Sequence, residues 1–166
     1  MSSRVGQFIV KFSYQEWLLS IIVYAALGVN HRQGRIAVRD PRMEDSFDML
    51  VTLCRFAKIE LPTTFAATKK LAKAMDEKRN LLAHGLWKES PTAPFLTIRQ
   101  VSGTWQPNGK DRISRRVMPE PIPMSSQILD AWLVDMSRLI RETEAIQRCV
   151  VRQLLALQKK QTLQSA

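Results

Sequence analysis

The chain has 166 residues, 45% hydrophobic and 24% charged, which fits one globular domain with its own core and leaves too little for two ordinary ones. That balance excludes a disordered chain. The longest apolar stretch, Leu18 to Gly28, is broken by Ser20 and falls far short of a membrane span. The formal charge of +10 invites a polyanionic partner. The excess is spread along the chain with no basic tail, however, and solubility alone also accounts for it.

Arg4 and Lys11 are not followed by an apolar stretch ending in a small-residue cleavage site, so no secretory signal is expected and the protein reads as soluble and cytoplasmic. Cys54 and Cys149 lie in apolar surroundings without metal-ligand spacing. With only His31 and His84 beside them, they read as small core residues in a reducing compartment rather than as a zinc site.

In chain order, residues near 4–27 predict a first helix. Val5, Phe8, Ile9, Phe12, Leu19, Val23 and Ala26 follow helical spacing, and Gly28 supplies the stop. Ser13-Tyr14-Gln15-Glu16 also matches a capping box, which would start the helix at Ser13. The longer helix is preferred, because the apolar stripe passes through Ser13 without a phase break. Val29–Pro41 reads as a polar, basic loop. A second helix is expected from about Arg42 to Lys58, ended by Leu61-Pro62. A third, capped by Thr63 or Thr64, is expected to run to His84 and stop at Gly85.

Residues 88–123 have a different character, with six of the chain's prolines and two glycines. Phe95–Val101 and Arg112–Val117 are strand-like, and Asn108-Gly109 between them is a tight-turn signal. The pattern predicts a β-hairpin inserted in a helical domain. A fourth helix from about Ser125 to Lys160 carries the stripe Ile128, Trp132, Leu139, Ile146, Val150 and Leu157. At that length it outruns three shorter helices, so its C-terminal half is expected either to pack on a second copy or to fray. The expected fold is mainly α: an up-and-down bundle of about four helices, with a β-hairpin between helices three and four.

The candidate chemistry lies at the end of the third helix, in Arg79-Asn80-Leu81-Leu82-Ala83-His84. On a helical wheel Leu71, Ala74, Met75, Leu81 and Leu82 share the core face. Lys73, Glu77, Asn80 and His84 share the opposite one, and Arg79 sits on the flank, from which a long side chain can reach around. Asn80 and His84 are four residues apart and can touch. A histidine before a helix-ending glycine also serves as a cap favoured by the helix dipole. That role accounts for His84 alone but not for its companions Arg79 and Asn80.

The stretch Glu77-Lys78-Arg79-Asn80-Leu81-Leu82-Ala83-His84-Gly85 resembles the signature of HEPN domains, in which an arginine, a polar residue and a histidine close a helix. The resemblance extends to the helical layout over residues 1–166; the insert at about 88–123 is not part of the minimal pattern. It implies a single HEPN-like domain. Many such domains are metal-independent endoribonucleases, often toxins or anti-phage effectors acting as dimers with a composite site. Others are non-catalytic modules for dimerisation or binding. On this reading no cofactor is needed, and the partners are RNA, a second copy of the chain and, for a toxin, a protein antitoxin; no membrane is involved.

Metal-free RNA cleavage needs a proton taken from the 2′-hydroxyl, a stabilised phosphorane and a proton given to the 5′-oxygen. Imidazole, with an ordinary pKa of about 6.5, suits the proton steps. A guanidinium clamps phosphate oxygens, and an amide orients the ring or donates to phosphate. Arg79, Asn80 and His84 are therefore the expected catalytic group. A symmetric dimer would supply the second histidine that two proton transfers require.

Glu16, in phase with the first helix's stripe, is a candidate supporting partner of Arg79, with the capping box or an exposed edge as the alternative. Glu77 is a second supporting candidate, and with Lys73 it can form an i, i+4 pair. Trp87 could stack a base or simply close the helix end. Arg112, Arg115 and Arg116 could form a phosphate-binding ribbon or an ordinary basic strand edge. His31 lies in the expected loop and reads as incidental. A DNA-binding regulator is disfavoured, since no short helix-turn-helix with a polar recognition helix is evident.

Overall fold

A computed structural model describes residues 1–38, 41–89, 96–99, 101–108, 112–117 and 122–164. The fold is mainly helical. α1 spans Ser2–Leu27, α2 His31–Ala37, α3 Met43–Phe56, α4 Phe65–His84 and α5 Ser126–Gln164. Among the described residues, short strands lie between α4 and α5: β1 Leu86–Glu89, β2 Leu96–Arg99, β3 Val101–Asn108, β4 Arg112–Val117 and β5 Ile122–Met124.

α1 is continuous through Ser13 and ends where Gly28 adopts φ 69°, its N–H closing back on Ala25 and Tyr24. It packs along α5 and α3, and α4 packs on α5 and α3. Phe8, Phe12, Leu19 and Ile22 of α1 meet Phe47 and Leu50 of α3, Met75 of α4, and Leu129, Met136 and Leu139 of α5 in one core. Gln15 is buried there with Thr143, to which its Nε2 donates at 2.7 Å. The pairing gives a buried amide and a buried hydroxyl a partner that the apolar core lacks.

The segment Val29–Pro41, expected as a loop, instead contains α2. Asn30 Oδ1 accepts from the Gln33 backbone at 3.0 Å, and Gln33 Oε1 accepts from the Asn30 backbone at 3.1 Å, a complete capping box. Gly34 in α2 is buried against Tyr24; any Cβ there would run into the Tyr24 ring. Glycine at this position lets α2 lie directly on α1.

The strand pairing also differs from expectation. β2 pairs antiparallel with β1 and β5, and β3 pairs with β4. Leu96–Arg99 of the expected first strand form β2, between β1 and β5, with Ile98 fully buried against the helical core, whereas Val101 belongs to β3 and lies opposite Val117. Pro123 sits opposite Thr97 on β5, an edge position that tolerates a missing N–H. Gly109 of the expected turn lies outside the described residues.

α5 has 39 residues, about 58 Å of helix. Val150 is its last buried residue, and Leu155 and Leu163 are exposed. Gln153 anchors the overhang: it donates to the Glu60 carbonyl at 2.7 Å and accepts from the Glu60 N–H at 2.9 Å. Among the described residues no single helix is long and apolar enough to cross a membrane.

Candidate functional site

α4 presents the motif in its final two turns. Met75 and Leu82 are buried on the core side, whereas Asn80 and His84 are exposed and Arg79 is half-buried between them. His84 is the last helical residue. Gly85 follows in extended conformation, φ −71° and ψ 151°, so the helix ends by running straight into β1 rather than through a left-handed cap. Among the described residues no hydrogen bond or ion pair engages the His84 ring, which stands open beside the carbonyl end of the helix dipole.

Arg79 reaches around the flank to α1. Its guanidinium carbon lies 5.6 Å from the Phe12 ring centroid, and its Nη1 donates to Asn80 Oδ1 at 3.0 Å. Asn80 Nδ2 in turn faces Asp76 Oδ2 at 3.4 Å. The amide is therefore held from both ends by Arg79 and Asp76 rather than by His84. Asp76 was not singled out from sequence, although its i, i+4 relation to Asn80 was readable. Of the five N–H groups of Arg79, one donates to another side chain among the described residues. The neighbouring cation is engaged elsewhere: Lys78 Nζ stands 5.3 Å from the Trp132 centroid and 3.4 Å from Asp135 on α5.

Glu16 is half-buried on α1, one turn beyond Phe12, and accepts from Ser20 through its carbonyl at 3.0 Å. It also lines a cleft of about 500 Å³ between α1, α2 and the start of α3. Glu77 is exposed. The expected Lys73–Glu77 pair gives way to a contact between elements, with Lys73 Nζ 3.6 Å from Glu44 on α3. Trp87 on β1 is half-buried against the core, and its indole N–H donates to the Leu82 carbonyl at 3.3 Å, closing the helix end. Arg112, Arg115 and Arg116 all belong to β4, with Arg112 opposite Asn108 and Arg116 opposite Ser102.

Cys54 is buried and its thiol is pushed up to about 11, chiefly by burial and secondarily by Cys149. Cys149 is half-buried, with its Sγ 3.6 Å from the Glu60 carbonyl. Among the described residues, no three His, Cys, Asp or Glu side chains gather as a metal site requires.

The arrangement offers an open imidazole, a guanidinium seated on an aromatic ring and an amide of fixed orientation, on two successive turns of one helix. Comparison with family models, curated proteins and solved structures finds no match to the chain.

Proposed function

We propose that the protein is a metal-independent endoribonuclease of HEPN type, in which the helices form an up-and-down bundle and the β segments an insert. The observation that carries this reading is the exposed His84 one turn beyond the hydrogen-bonded series Arg79, Asn80 and Asp76. His84 takes the proton from the 2′-hydroxyl, and the 2′-oxygen attacks the adjacent phosphorus. Arg79 stabilises the charge on the non-bridging oxygens, and Asn80 holds the Arg79 fork in place. A second His84, from a symmetric partner, protonates the departing 5′-oxygen. The products are a 2′,3′-cyclic phosphate and a 5′-hydroxyl. DNA, without the 2′-hydroxyl, is inert. A toxin or anti-phage role follows from the resemblance.

The second reading is a non-catalytic module for binding a protein or nucleic-acid partner. It is favoured by the seating of Arg79 on Phe12, which makes the arginine a strut between α4 and α1. Incubating the purified chain with single-stranded RNA in EDTA, beside His84→Ala, separates the two. Cleavage by the parent alone supports the nuclease, and no cleavage by either supports the module.

A further inference from the structure

We propose that the cleft between α1, α2 and the start of α3 is a nucleotide subsite that holds one base and phosphate of a single-stranded RNA; the inference deepens the ribonuclease reading and rests on it. The cleft, about 500 Å³, lies within the size range of small-molecule sites. Its walls are chemically mixed in the way a nucleotide requires. Trp17 on one wall is half exposed, at 49%, and its ring is already stacked on Tyr14 with centroids 5.6 Å apart and planes at 29°. That pair forms an aromatic platform of the kind on which unpaired bases stack. On the opposite wall, α2 contributes Arg35 and His31. The Tyr24 ring meets His31 edge-on at 5.8 Å, which orients the imidazole. Arg35 supplies the permanent charge and planar fork for a phosphate; Ser20 and Ser46 also line the cleft, but their hydroxyls already donate to the Glu16 and Arg42 carbonyls.

The cleft is connected to the motif through α1. Glu16 lines the cleft, and four residues before it, about 6 Å along the axis, Phe12 carries the Arg79 guanidinium. A strand whose scissile phosphate sits on Arg79 would reach the cleft by following α1 from Phe12 past Glu16. The capping box at Asn30 and the close packing of Gly34 on Tyr24 fix α2 in position, so the two walls are set before any ligand arrives. An acidic peptide would satisfy Arg35 but would leave the stacked aromatic pair without a planar partner.

The test is a binding titration that does not depend on cleavage. Full-length His84→Ala protein is titrated with a fluorescein-labelled hexaribonucleotide and, separately, with a labelled hexa-glutamate peptide. Trp17→Ala and Arg35→Ala are added singly to that background, and Arg141→Ala serves as the control for loss of one exposed charge on α5. Each cleft variant is expected to weaken RNA binding about tenfold, the scale of one stacked base or one clamped phosphate, with Arg141→Ala changing it less than about twofold. In the cleaving parent the same cleft variants should raise KM and leave kcat nearly unchanged. Equal RNA affinity in all variants, equal weakening by Arg141→Ala, or binding of the peptide in preference to RNA overturns the subsite. Cleft-dependent binding without any cleavage by the parent keeps the subsite and removes the nuclease. Cleavage with an unaltered KM in Trp17→Ala and Arg35→Ala keeps the nuclease and removes the subsite.

Discussion

The Arg79 guanidinium lies over the Phe12 ring at 5.6 Å while donating to Asn80 Oδ1 at 3.0 Å. One side chain thus ties α4 to α1 and orients its neighbour in the motif. Arg79→Lys keeps the charge but loses the planar fork. Under the nuclease reading, cleavage should fall by about 10²–10³-fold, and RNA affinity should change little because dispersed phosphate contacts dominate it. Loss of the ring contact and of one hydrogen bond should lower Tm by about 2–4 °C. Unchanged cleavage with the same Tm loss would leave Arg79 as a strut only.

Asp76→Ala tests the outer end of the same series. Asn80 would keep its acceptor contact to Arg79 but lose the carboxylate on its Nδ2. The expected result is a several-fold drop in kcat with KM and Tm nearly unchanged, since the contact is exposed and worth about 0.2–0.5 kcal/mol to the helix. Asp76→Asn should restore most of the activity by supplying an amide oxygen as acceptor.

Gly34→Ala should detach α2. The added methyl would meet the Tyr24 ring, and overpacking of this kind costs about 1–3 kcal/mol. A denaturant melt should show the loss as a lower midpoint. Tyr24→Ala combined with Gly34→Ala should lose less than the sum of the two single effects, because the clash disappears with the ring.

Burial of the Cys54 thiol should show in the pH dependence of stability. Cys54, raised by burial to about 11, stays neutral in the native state well above the pH at which an unfolded thiol ionises, near 9. A group whose folded pKa is raised contributes its stability in full below the unfolded value and loses it as pH climbs through the folded one. The parent should therefore lose stability between about pH 9 and 11 more steeply than Cys54→Ala. At pH 8 an aromatic disulfide reagent should modify the half-buried Cys149 first, with Cys54 reacting only on unfolding.

The overhang of α5 addresses assembly. Leu155 is 54% exposed and Leu163 80% exposed, past the Gln153–Glu60 anchor. If a second copy covers this face, the full chain should scatter light as a dimer, and a chain ending at Gln153 should be a monomer that melts cooperatively. A dimer that survives the truncation would place the interface elsewhere.

The long helices were legible because their signals agree: a stripe of Phe8, Phe12, Leu19 and Val23 ended by Gly28, and a stripe of Leu71, Met75 and Leu82 ended at Gly85. The exposure of Asn80 and His84 followed from the same wheel. α2 was not legible because it has no apolar stripe. Its signal was the Asn30–Gln33 capping box, outweighed by basic residues and by a Gly34 that acts through packing on Tyr24, a contact no local pattern encodes. The partners of Lys73 and Lys78, and the Phe12 ring under Arg79, were likewise set by α3, α5 and α1, whereas the Arg79–Asn80 hydrogen bond lies within α4 itself. The cleft beside His31 depends on both facts, which is why His31 read as incidental in the sequence.

The most direct measurement is the fate of a defined single-stranded RNA incubated in EDTA with the parent chain and with His84→Ala, the products identified by mass spectrometry. The account predicts fragments ending in 2′,3′-cyclic phosphate and beginning with 5′-hydroxyl from the parent, none from a His84→Ala protein of unchanged Tm, and no cutting of the matching DNA. Intact RNA with the parent, or equal cleavage by the His84 variant, would contradict it.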